Sequence, residues 1–288
     1  MEKIKNSRSA SFAVIFAVYL AASALGIVVY RALPFSFALD LLIADAVATV
    51  FTFVFSLVFK NASVYDPYWS VQPVVILVCA SVIHGLTPLT SLLLAAVCFW
   101  GVRLTANWAY TFRGLTHQDW RYTMLCEKTG RLYPFVNFAG IHMFPTLVVY
   151  LCTLPAVFAF EYGAECGVLS VVFVCVSFGA AVLQGSADIQ MHAFRKKAHG
   201  GFIRTGLWKY SRHPNYLGEI LMWWGIGLAV VSAMPQRWYL LAGAVLNTVM
   251  FLVVSIPMAD KRQSAKPGFA EYKKTTRMLL PLKKFGTK

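Results

Sequence analysis

Long apolar runs separated by short polar intervals dominate this chain, and the runs are too unbroken to be the core-facing stripe of soluble helices. Stretches at about 9–30, 38–59, 71–86, 88–110, 140–160, 166–187, 216–234 and 238–257 each approach the ~20 residues that carry a helix across a bilayer. The third is short and ends in His84 and Gly85, so the pattern predicts seven or eight spans. No repeat of solenoid or propeller length and no low-complexity linker is visible. The expected fold is therefore all-α, a polytopic membrane helix bundle built as a single integral membrane domain over 1–288.

Composition agrees: 58% of the residues are apolar and the mean hydropathy is +0.62, well beyond what one globular core needs. A net charge of +14 raises the question of a nucleic-acid partner, and the placement of the charges answers it. With a cytoplasmic N-terminus, every Lys and Arg except Arg31, Arg103 and Arg237 falls in a segment on the inner side. The basic residues thus encode topology, with both termini cytoplasmic and no nucleic acid implied. A bacterial inner membrane and the endoplasmic reticulum both fit. The apolar run after Lys3, Lys5 and Arg8 is longer than a signal-peptide core and reads as the first span.

Six cysteines show no CxxC pair and no histidine stands at ligand spacing, so neither a disulfide framework nor a metal site is expected. Asn61-Ala62-Ser63 matches a glycosylation acceptor, but the topology places it inside. No protein partner is evident, and the expected neighbours are membrane lipids.

Three longer polar segments, 111–137, 188–215 and 259–288, all face the cytoplasm in this topology and together would form a positive cap. Ionisable groups stand at span ends: Asp66 in VYDPYWS, Arg103 and Asn107 in VRLTANW, Asp188 in QGSADIQ and Glu219 in NYLGEI. Such groups are costly at membrane depth, so they either pair, as Asp66 and Arg103 could, or snorkel to the interface. Tyr65, Tyr68 and Trp69 read as an interfacial aromatic belt or as hydrogen-bond donors to a ligand.

The most specific segment is Gly206-Leu-Trp-Lys-Tyr-Ser-Arg-His-Pro-Asn-Tyr-Leu-Gly-Glu219. Pro214 suits a first helical turn, where its missing N–H costs nothing. Asn215 offers both a donor and an acceptor, as recognition of a carboxamide requires. Lys209 and Arg212, with Arg195 and Arg204, can neutralise phosphates, and Tyr210 offers a flat face or a hydroxyl. Asp188 or Glu219 can take a ribose or amide hydrogen bond.

This segment, with Asp188, Arg195 and the ending GFAEYKKTTRMLLPL, resembles the C-terminal domain of the steroid 5-alpha-reductase family, in particular its bacterial DUF1295-type membrane relatives. The resemblance is good from about Gln184 to Leu282 and weaker over VYDPYWS and 103–122. It implies an NADPH-dependent oxidoreductase that reduces a carbon-carbon double bond conjugated to a carbonyl in a steroid-like or other lipid substrate. Residues 1–137 would then supply the N-terminal spans and substrate-side loop, and 138–288 the cofactor half.

The implied cofactor residues are Asp188, Arg195, Arg204, Lys209, Tyr210, Arg212, His213, Asn215 and Glu219, closed over by Arg262 and Tyr272. The family's substrate acid and tyrosine find no full match: the tyrosine position corresponds to Trp100, and the nearest acid-aromatic cluster is Asp66, Tyr68 and Trp69. Asp66, Tyr68 and Trp100 are therefore the catalytic candidates.

The rival reading is an S-adenosylmethionine-dependent membrane methyltransferase, whose Arg-His-Pro-x-Tyr-x-Gly core is matched in full by Arg212 to Gly218. Those enzymes typically carry a Glu-Glu pair after the next hairpin, where this chain reads Pro257-Met-Ala-Asp-Lys-Arg262. Gly225-Ile-Gly227 lies in an apolar span and follows no strand, so it is no dinucleotide fingerprint. A non-enzymatic transporter would be expected to show repeats or broken helices, and the pattern has neither.

Overall fold

The computed structural model describes residues 2–197 and 200–281, and among these the backbone is helical with no β-strand. Eight helical stretches are long and apolar enough to cross a membrane. The first four contain α1 (Arg8–Ala32), α2 (Phe37–Phe59), α3 (Tyr68–His84) and α4 (Pro88–Thr111). The fifth runs from Trp120 to Tyr162, opening with α5 (Trp120–Thr129) and ending in α6 (Phe144–Tyr162). Then come α7 (Val168–Lys197) and α8 (Pro214–Ala233). The eighth, Pro235–Ser264, holds α9 (Ala242–Met250) and α10 (Ile256–Ser264), and α11 (Phe269–Thr275) follows. The short third run thus lies in a helix long and apolar enough to span, and the count of such stretches is eight among the described residues.

Helix starts are set by local chemistry. Ser7 and Ser36 cap α1 and α2 by accepting from Ala10 N and Leu39 N. Thr87 and Thr90 cap each other's backbone ahead of Pro88, the first residue of α4. Two π-helical segments, Asn137–Met143 and Phe251–Ser255, interrupt the regular ladders of the fifth and eighth stretches.

The chain divides into two compact units, Met1–Ala164 and Glu165–Lys288. In the first, α1 lies along α2, while α3 packs on α4 and α6. Gly101 permits the α3–α4 approach, since a Cβ there would stand 2.6 Å from the Ser70 carbonyl oxygen. Between α2 and α3 the chain makes a 3-10 turn at Ala62–Val64, in which Asn61 accepts from Ser63 N. Tyr19 donates to the Val64 carbonyl at 2.8 Å and ties this turn to α1. The turn buries Tyr65 and Tyr68, which are 1% and 6% exposed, so these two are core residues and not an interfacial belt. Burial is tolerated because each hydroxyl has a partner, Thr146 for Tyr65 and Asp45 for Tyr68, both at 2.8 Å.

In the second unit α7 and α8 pack along their lengths. A Cβ on Gly218 would stand 2.7 Å from the Ala180 carbonyl, and one on Gly225 would stand 2.7 Å from the Phe173 carbonyl and run into Ser177 Oγ. These glycines let two backbones come into contact, the device that packs apolar helices where no water drives them together. Gly225 therefore has a packing role within its apolar span.

Candidate functional site

Within the first unit, α1, α2 and α3 enclose a groove of about 380 Å³. At one end Tyr68 donates to Asp45 Oδ1 at 2.8 Å, and the Gln72 amide donates to Asp45 Oδ2. Tyr19 lines this end, its ring edge-on to Tyr68 at a centroid distance of 5.7 Å. Beyond these groups the walls are mostly apolar, with Ala22, Gly26, Val71, Val75 and Ile76 among them, and the far end is bordered by Tyr30 and Arg31. The arrangement is a hydrogen-bonding pair at the end of an apolar slot, the common form of a small-molecule site.

Of the three catalytic candidates, Tyr68 alone lines this groove. Asp66 instead accepts from the Tyr122 hydroxyl at 2.7 Å, in a network where Asp119 N donates to Ser63 Oγ and Asp119 holds Arg121 at 2.9 Å. Trp100 is fully buried, its ring 6.0 Å from that of Trp69. Asp45 is the residue that sequence reasoning missed. Its signal was present: a lone carboxylate in the middle of LLIADAVATV, where an unpartnered acid would be expensive.

In the second unit the Gly206–Glu219 segment is held at every turn. Gly206 adopts φ +60 against Gln190, whose Oε1 accepts from Leu207 N at 2.9 Å, and a side chain at 206 would run into that amide. Trp208 donates to the Ala187 carbonyl at 3.1 Å, and the Tyr272 hydroxyl donates to the Trp208 carbonyl. Burial pushes the Tyr272 phenol up to about 12, so it remains a donor at neutral pH.

Arg212 and His213 converge on Asp260. Arg212 donates to Asp260 Oδ2 at 3.0 Å and to the Thr276 carbonyl at 2.7 Å, while His213 Nε2 lies 3.0 Å from Asp260 Oδ1. Lys273 adds a third neighbour, 3.4 Å from the same carboxylate. The Arg212 backbone N–H donates to the Arg277 carbonyl at 3.0 Å, so the chain after α11 is bound to the motif through backbone as well as side chain. The His213 ring stacks on Tyr216 with planes 4° apart, and Tyr216 meets Phe251 of the second π-helical segment at 4.9 Å. Glu219 is 2% exposed and takes hydrogen bonds from Gln184 and Trp223, each at 2.8 Å.

The remaining candidates are more open. Arg195, Arg204, Lys209, Tyr210 and Arg262 are exposed, and Asp188 is half-buried. Arg204 lies over the Phe202 ring and Lys209 over Tyr210. Lys266, which sequence reasoning did not single out, donates to the Gly201 carbonyl; burial first and then Arg262 and Arg195 hold its ammonium below the usual lysine range. Asn215 is the second residue of α8, and its Oδ1 is buried without a hydrogen-bond partner. The second unit therefore holds exposed cations and one unsatisfied amide oxygen, while Arg212, His213 and Glu219 are engaged internally. Among the described residues no group of His, Cys, Asp and Glu could hold a metal ion.

Eight apolar spans and a partly buried polar site in each unit define a polytopic helical protein of the membrane, in contact with its lipids. The chain belongs to the family described as a protein of unknown function, DUF1295, whose model matches residues 52–276. It is also 26% identical over 215 residues to the uncharacterized protein C594.04c of Schizosaccharomyces pombe, an alignment covering 64% of this chain and 62% of the yeast protein. The chain thus spans less than two thirds of that relative's length. No solved structure matches.

Proposed function

We propose that the protein is a membrane-embedded, NADPH-dependent reductase of a carbon-carbon double bond conjugated to a carbonyl in a steroid-like or other lipid substrate. The observation that carries this reading is the Tyr68–Asp45 pair at the closed end of an apolar groove. The Arg-His-Pro-Asn-Tyr-Leu-Gly-Glu run over 212–219, with its resemblance to the steroid 5-alpha-reductases, supports it from the second unit.

NADPH suits the residues present. The unsatisfied Asn215 Oδ1 would accept from a nicotinamide carboxamide N–H, and Arg195, Arg204, Lys209, Arg262 and Lys266 are of the charge that would meet phosphates. Tyr210 would face a ring or ribose and Asp188 a ribose hydroxyl. Arg212, His213 and Glu219 would act as positioning residues, and Tyr272 would hold the tail against the motif. When bound, the cofactor would supply a hydride to the carbon β to the carbonyl.

The proton that completes the α-carbon would be taken up from solvent as the enolate collapses, and the chain's own residues would act at the carbonyl. As charge develops on the carbonyl oxygen, Tyr68 would turn its one hydroxyl proton from Asp45 to that oxygen, a kind of stabilisation worth about 10²–10³ in rate where one donor has been removed from other enzymes. Asp45 orients the Tyr68 hydroxyl, and Gln72 fixes Asp45. The apolar walls keep water from the reacting carbon.

The test is binding in detergent followed by turnover. The purified protein should bind NADPH, and Asn215→Ala should weaken that binding. With a 3-oxo-4-ene steroid, Tyr68→Phe and Asp45→Asn should lower turnover about 10²–10³-fold with NADPH affinity unchanged. Equal loss of binding and turnover would remove Tyr68 and Asp45 from the chemistry. Binding of S-adenosylmethionine without NADPH would replace the reductase reading with the methyltransferase one.

A further inference from the structure

The groove of the first unit is polar at both ends and nearly apolar between them. Its closed end carries Tyr68, Asp45 and Gln72, with Tyr19 lying across Tyr68. Its other end carries Arg31, in the last turn of α1 beside Tyr30. The α1 path from Tyr19 to Arg31 is about 18 Å long at the helical rise of about 1.5 Å per residue. Toward the Arg31 end the walls are Ile27, Val78, Val82 and Ile83, all exposed large apolar side chains, with Val82 81% exposed. The groove is therefore closed around Tyr68 and open sideways near Arg31, so that a ligand lying in the bilayer can enter lengthwise.

We infer that the groove takes an elongated acidic lipid, with a neutral carbonyl end against Tyr68 and Asp45 and a carboxylate at Arg31, about 18 Å away along α1. Desolvation and the Arg31 guanidinium favour this direction, against the field of Asp40 and Glu161, which also reach Tyr30 at the mouth. A second carboxylate at the closed end would be desolvated and would face Asp45, which disfavours its charge twice. At the mouth a guanidinium offers the planar fork that a carboxylate matches. A lipid with no acid would fill the apolar middle and leave Arg31 unused. The inference names the substrate class for the reductase reading and rests on it for the role of the carbonyl end.

The probes are 3-oxo-4-cholenoic acid, which bears an enone at one end and a carboxylate at the other, and its methyl ester. Both are titrated against the full chain in nanodiscs, with NADPH titrated in parallel. The acid should bind up to about five-fold more tightly than the ester, the range of a partly exposed ion pair. Arg31→Gln should bring the ratio to about one by weakening the acid alone, Arg31→Lys should keep most of it, and rising salt should erode it. Val75→Trp, which fills the middle of the groove, should weaken both probes.

The proposal is overturned if the ratio survives Arg31→Gln and high salt, if Val75→Trp leaves both affinities unchanged, or if neither probe binds while NADPH does. Should Arg31→Gln not fold, the salt dependence on the unaltered protein decides. Loss of NADPH binding with the acid-to-ester ratio intact would remove the reductase reading and leave the ligand class standing.

Discussion

Asp260 shows how a single residue can hold a segment together: Arg212, His213 and Lys273 share one buried carboxylate. Removing it leaves the Arg212 guanidinium buried without its counter-ion, the case in which breaking an ion pair costs most. Asp260→Ala should lower stability by about 3–5 kcal/mol, read as a fall in thermal unfolding temperature in detergent, and should release the backbone from Thr276 onward to proteolysis. Asp260→Asn keeps two polar atoms in place and should cost less. Arg212 and His213 were legible from the sequence as residues of consequence, but their role was not. A basic residue in a motif reads equally as a phosphate ligand or as an internal strut, and the choice depends on an acid 48 residues away. Asp45 is the opposite case: its apolar surroundings argue for a buried partner, yet the sequence reading passed over it.

Among the elements, the α7–α8 pair depends on glycine. Gly225→Leu would force the helices apart at Ser177 and Phe173, and α8 carries Asn215 and Glu219 at its start. The expected result is a loss of about 1–3 kcal/mol in unfolding stability together with weaker NADPH binding, whereas Leu at Gly179, where a Cβ meets nothing within 4 Å, should change neither. The spans themselves were readable because about 20 apolar residues in a row leave a helix few alternatives. The π-helical segments and the 3-10 turn at Ala62–Val64 were not, since they follow from packing around Asn137, Phe251 and Tyr65 and not from any local pattern. That turn is what brings Tyr68 to Asp45, so the same gap hid the groove.

At the scale of the whole molecule, the polytopic all-α architecture followed from composition and run length, whereas the partition after Ala164 had no composition shift to announce it. Under the reductase reading, a ligand that binds only the folded form raises its stability by mass action. NADPH at 100 times its dissociation constant should stabilise the protein by about 2.7 kcal/mol, and the Asn215→Ala variant should show a smaller shift in thermal unfolding at the same concentration. The grip of Arg212 on the Thr276 carbonyl also has a bearing on biosynthesis. Arg212 precedes Asp260 by 48 residues and Thr276 by 64, so during synthesis its cation stays unmatched until α10 is made, and the clasp is completed only when the segment after α10 emerges. A chain that stops short of Asp260 would therefore leave the Arg212 guanidinium without its counter-ion and open to the cell's quality control.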